Sequence, residues 1–82
     1  MQYAIIESGK EASMYKEIFA QRIKKARKDS GFTQREVSAD TKIAHSKIAK
    51  IETGKQEPDL ETLGILADFY GVKVDWLLGT KS

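Results

Sequence analysis

The feature that most restricts this 82-residue chain is a pair of helical patterns set only a few residues apart, between Thr33 and Lys55. Thr33 followed three residues later by Glu36 is a capping box, in which each side chain satisfies the other residue's free backbone N–H, so a helix starts there. Val37 faces inward with the small Ser38 beside it. After Asp40-Thr41-Lys42 the apolar pattern resumes with Ile43, Ile48 and Ile51, the last two at i, i+3 spacing. These three isoleucines are core candidates. The other side of the second helix carries His45, Ser46, Ala49 and Lys50, two i, i+4 pairs made of donors, an acceptor and one methyl group. An interior would leave those polar groups unpaired, so this face is expected at the surface.

Around that pair the pattern predicts an all-α fold of five helices. Helix 1 is expected from about Tyr15 to Ser30, with Ile18, Phe19, Ile23 and Ala26 on one stripe and Gly31 ending it. Thr53 to Pro58 reads as a loop, because Gly54 supplies positive φ and Pro58 disfavours helix at the residue before it. Asp59 then caps a fourth helix whose apolar face is Leu60, Leu63, Leu66, Ala67 and Tyr70, ending at Gly71. A last short helix carries Val74, Trp76, Leu77 and Leu78 before Gly79, with Trp76 expected in the core because large aromatics dominate burial in small domains. No stretch alternates like a strand, and no repeat is visible.

Composition excludes more than it asserts. The absence of cysteine removes disulfides, thiolate nucleophiles and thiolate metal sites, and a single histidine cannot form an imidazole cluster. There is no Ser/His/acid set, no framed carboxylate pair and no phosphate-cradling glycine loop, so the chain is not expected to be an enzyme or to hold a cofactor. No small-molecule ligand is evident. The longest apolar run falls far short of the roughly 20 residues that span a bilayer, so a cytoplasmic protein with no membrane partner is expected. Charge is segregated: residues 22–55 hold ten Lys/Arg against four acids, +6, whereas residues 1–21 carry −1 and residues 56–82 carry −3, which together give the net +2. A basic middle between acidic ends suits a surface that meets a polyanion, although a charged helix can also be simply well solvated.

Over roughly Glu17 to Gly79 the chain resembles the lambda repressor-like (Cro/repressor, XRE-type) helix-turn-helix family. The resemblance rests on four blocks in order: Arg22-Ile23-Lys24-Lys25-Ala26-Arg27 before Gly31-Phe32-Thr33-Gln34; Ile48-Ala49-Lys50-Ile51-Glu52-Thr53-Gly54-Lys55; Pro58; and Gly71-Val72-Lys73-Val74-Asp75-Trp76-Leu77-Leu78-Gly79. It implies a compact five-helix domain over residues 15–82, preceded by an extension over residues 1–14, with the helix-turn-helix formed by helices 2 and 3. It also implies a sequence-specific, double-stranded DNA-binding transcription regulator, a repressor that docks as a homodimer on a pseudo-palindromic operator with helix 3 in the major groove.

Under that resemblance the base-edge positions fall on His45, Ser46 and Lys50, with Ala49 allowing close approach or meeting a thymine methyl. Phosphate-gripping positions fall on Thr33, Gln34, Lys47, Thr53, Gly54 and Lys55. Arg27 and Glu52 match a structural ion pair between helices 1 and 3, not base readers. For Ser46 and Thr53 the plainer reading is a local hydrogen bond to nearby backbone. The alternative function is an antitoxin-like or other protein-interaction module on the same fold.

Two positions depart from the family pattern. Lys42 stands where the turn usually has glycine, and Ala44 stands where helix 3 usually has a Ser or Thr cap; each departure costs on the order of 1 kcal/mol. The N-terminal stretch with Tyr3-Ala4-Ile5-Ile6 carries no basic cluster and does not read as a DNA-wrapping arm. A tail, a strand paired with its copy in a dimer, or a segment packed on the core all fit it.

Overall fold

The computed structural model describes residues 12–80, which form five helices and no strand. Helix α1 spans Ala12–Ser30, α2 Gln34–Thr41, α3 His45–Glu52, α4 Leu60–Tyr70 and α5 Val74–Leu78. Helix α1 begins three residues before the expected Tyr15, because nothing in Ala12-Ser13-Met14 breaks a helix and Ala and Met favour one. The extension's apolar segment, Tyr3 to Ile6, lies outside the described residues.

The core is one cluster in which every helix takes part: Phe19 and Ile23 from α1, Val37 from α2, Ile48 and Ile51 from α3, Leu66 and Ala67 from α4, and Leu77 from α5. Ile43, in the turn, completes it. The isoleucine pattern of helices 2 and 3 therefore does anchor α3. Two expectations fail. Leu60 is 86% exposed. On α4 the inward stripe runs through Thr62, Leu66 and Ala67, with Leu63 and Tyr70 half-buried; Leu60 lies at the edge of that stripe, seven residues before Ala67, but at the first position of the helix, with no earlier turn of α4 beside it. Trp76 is 36% exposed rather than core. The single turn of α5 has room for one fully inward side chain, and Leu77 takes it; the Trp76 ring instead lies beneath the Arg22 guanidinium, 5.2 Å from its carbon to the ring centroid, while Arg22 Nη1 donates to the Trp76 carbonyl at 2.6 Å.

The chain reversals after α1, α3, α4 and α5 share one hydrogen-bond pattern. After α3 the Gly54 N–H donates to the Ile51 carbonyl at 3.2 Å and the Lys55 N–H to the Lys50 carbonyl at 2.9 Å, a Schellman closure. Gly54 has φ +79, which glycine adopts without Cβ strain, so it is the backbone conformation of the turn that glycine allows.

The turn between α2 and α3 is built without glycine. Lys42 takes the left-handed conformation at φ 68, and its N–H donates to the Ser38 carbonyl at 2.9 Å. Side chains pin the rest: Ser38 Oγ donates to the Ile43 carbonyl at 2.6 Å, Thr41 Oγ1 donates to the Val37 carbonyl at 2.7 Å and accepts from the Ile43 N–H at 3.3 Å. A lysine is tolerated because its neighbours fix the turn around it. Ala44 precedes α3 with no side-chain cap, as its missing hydroxyl requires.

Candidate nucleic-acid interface

Helix α3 is held from behind. Glu52 is the charged residue of its buried side, and its carboxylate accepts from Arg27 Nε at 2.8 Å, Arg27 Nη2 at 3.0 Å and Gln34 Nε2 at 2.9 Å. Arg27 Nη1 also donates to the Phe32 carbonyl at 2.9 Å, so one cluster ties α1, the following loop, α2 and α3 together. The Glu52 hydrogen bonds raise the Arg27 guanidinium above its already high ordinary pKa, outweighing the lowering by burial. Tyr70 lies close enough to feel both charges, and burial, the larger cause, pushes its phenol up to about 12.

With Ile48, Ile51 and Glu52 buried, the opposite side of α3 is left to solvent. Ser46 and Lys50 are exposed; His45 and Ala49 are half-buried beside them. Among the described residues, none of the His45, Ser46 and Lys50 side chains makes a hydrogen bond or ion pair, so their donors and acceptors are uncommitted. The four residues expected at base edges thus share one accessible strip.

The expected phosphate positions behave differently. The Thr33 hydroxyl accepts from the Glu36 N–H at 3.1 Å while its own N–H donates to Glu36 Oε1 at 2.9 Å, the complete capping box. Gln34 turns its amide inward to Glu52, and the Thr53 hydroxyl donates back to carbonyls of α3. Lys47 is paired with Asp59, Nζ to Oδ1 3.1 Å. Gly54 and Lys55 form the closure after α3, and Lys55 alone among these six offers an uncommitted charged side chain.

Of the ten basic residues between 22 and 55, four are engaged: Arg22 on Trp76, Lys25 with Asp29, Arg27 with Glu52 and Lys47 with Asp59. Lys24, Lys28, Arg35, Lys42, Lys50 and Lys55 have no such partner among the described residues. Four of those six lie in the unit formed by α2, the turn, α3 and its closing loop. In the same unit Glu36 and Glu52 are consumed by the capping box and the ion pair. Residue patterning missed Arg35, exposed in the first turn of α2, because a lone cation beside Gln34 carries no periodic signal. It also missed the Lys47–Asp59 pair, whose members sit on different elements twelve residues apart.

Two short helices meeting at a tight turn, the second buried on one side and polar and cationic on the other, define a helix-turn-helix. A family model described as helix-turn-helix matches residues 23–77, most of the chain. Two relatives from Bacillus subtilis (strain 168) are similar to it. The SPbeta prophage-derived uncharacterized HTH-type transcriptional regulator YonR is 39% identical over 61 residues, covering 74% of this chain and 56% of that protein. The HTH-type transcriptional regulator ImmR is 36% identical over 58 residues, covering 71% of this chain and 46% of that protein. The chain belongs to the lambda repressor-like, XRE-type helix-turn-helix family. It spans about half the length of the curated relatives it matches.

Proposed function

We propose that the chain is a DNA-binding transcription regulator of the cytoplasm, a repressor that binds a pseudo-palindromic operator as a homodimer with α3 in the major groove. The observation that carries this reading is the strip of uncommitted His45, Ser46 and Lys50 side chains on a helix whose other side is locked into the core. A major groove admits one α-helix, and base pairs are told apart there by hydrogen bonds to their edges. Lys50 donates to guanine O6 and N7, His45 and Ser46 donate or accept, and Ala49 meets a thymine methyl. Lys55, the backbone of Gly54, and Thr33, Gln34, Lys47 and Thr53 lie along the flanks where phosphates pass, setting register. Exposed Val74 and Trp76 on α5 offer apolar area to a second copy, which supplies the second half-site.

The test is selection of bound sequences from random duplex, followed by Lys50→Ala and Lys55→Ala in the same assay. Lys50→Ala is expected to relax preference at one base pair by about 1–3 kcal/mol, and Lys55→Ala to weaken all sequences alike. Equal, sequence-blind losses from both would remove Lys50 from the reading face.

A further inference from the structure

Helix α3 carries two lysines, and they are treated differently. Among the described residues Lys50 has no partner, whereas Lys47 Nζ lies 3.1 Å from Asp59 Oδ1, beside a groove of about 460 Å³ that Lys42, Lys47, Asp59 and Glu61 help to line. The pair is accessible: the side chains are 32% and 58% exposed, so it is weak and open to exchange with other ions. Asp59 precedes α4 at its N-cap but makes no side-chain cap hydrogen bond to the helix backbone. The Thr62 side chain, then the Lys47 ammonium, hold that carboxyl below its ordinary value, so Lys47 shares the carboxylate with the first turn of α4.

Lys47 follows Ser46 directly, on the flank of the strip that faces the groove floor. A helix seated in the major groove has rows of phosphates along its flanks, so a lysine there meets backbone rather than base edges. An acid already holding that lysine is a rival for it.

We propose that Asp59 competes with the DNA backbone for Lys47, and thereby holds down sequence-independent affinity without touching a base. The proposal rests on the DNA-binding reading above. Because base edges are read by Lys50 and its neighbours, the competition lowers affinity for operator and random sequence alike and leaves the ratio between them unchanged.

The test uses Asp59→Asn, which preserves the helix start because Asn and Asp are comparable N-cap residues. Binding of the full chain to a random-sequence duplex is measured by fluorescence anisotropy across salt, with thermal melting to confirm the fold. One phosphate contact contributes about 0.9 to the slope of log affinity on log salt, so a freed Lys47 makes the variant's advantage about threefold larger at roughly 50 mM than at roughly 200 mM salt. In a Lys47→Gln background the same substitution is expected to bring no gain. Asp59→Asn binding no tighter than the parent at low salt overturns the proposal. So does an equal gain with and without Lys47, which would mean simple removal of repulsion. If the parent shows no salt-dependent duplex binding, the DNA reading itself fails and this proposal with it. If the parent binds and Lys55→Ala weakens it while Asp59→Asn changes nothing, the competition alone is refuted.

Discussion

Removing Glu52 is the perturbation that best exposes what holds α3 in position. Its side chain is 3% exposed and that of Arg27 is 11% exposed, so neither charge has much water to fall back on. Glu52→Ala deletes three charge-assisted hydrogen bonds at once and leaves the guanidinium, among the described residues, with the Phe32 carbonyl. Breaking a buried ion pair by removing one partner costs about 3–5 kcal/mol, against under about 1 kcal/mol for an exposed pair. A domain of 82 residues has a total stability of about 4–12 kcal/mol at roughly 0.05–0.15 kcal/mol per residue, so the loss is a large share of the whole. Arg27→Ala is expected at the upper end of the range. A guanidinium on a long stem can swing toward water when its partner is gone, whereas the short Glu52 carboxylate stays where the backbone puts it, with Gln34 as its remaining donor. The double variant Arg27→Met, Glu52→Leu should lose clearly less than the two single losses added together, because no isolated charge remains. Urea denaturation followed by helical circular dichroism measures all three. A cost below about 1 kcal/mol for either single variant would show that the pair behaves as a surface pair, and the argument that it fixes α3 would fail.

Two further outcomes follow from local geometry. Lys42→Gly should stabilise the domain by about 1 kcal/mol in the same assay, because glycine adopts φ 68 without Cβ strain; no gain would mean that the side-chain pins on the turn already absorb that strain. Tyr70 should titrate at about 12 in an alkaline absorbance titration. Its folded pKa lies above the ordinary value of about 10, so the folded state holds the proton longer, and stability falls as pH rises through roughly 10 to 12. Titration of all three tyrosines near 10 would contradict its burial against Phe69 and the Arg27–Glu52 cluster.

Patterning made the architecture legible wherever apolar spacing and end signals agreed. Thr33 with Glu36 marks the start of α2 through a bond that is wholly local, and Ile43, Ile48 and Ile51 mark the buried side of α3 through helical periodicity alone. Leu60 and Trp76 escape patterning for the same reason: hydrophobicity says that a residue prefers burial, but not which way the end turn of a helix points, and both sit in short or terminal turns. The candidate reading strip was visible as a polar face. What could not be read was which side chains the fold spends on itself. Gln34 turns to Glu52, Lys47 to Asp59 and Arg22 to Trp76, all through contacts between elements distant in the chain. Charge counting alone treats a tied cation and a free one alike.

The central claim is that the face of α3 opposite its isoleucines meets nucleotide edges. Amide chemical-shift mapping of the full chain against a duplex taken from the selection tests it most directly. The account predicts the largest changes over His45 to Lys55 and at Thr33 and Gln34, with α4 beyond its first turn and the far side of α1 nearly unmoved. Large changes on α4 and α5 with His45, Ser46 and Lys50 undisturbed would contradict it.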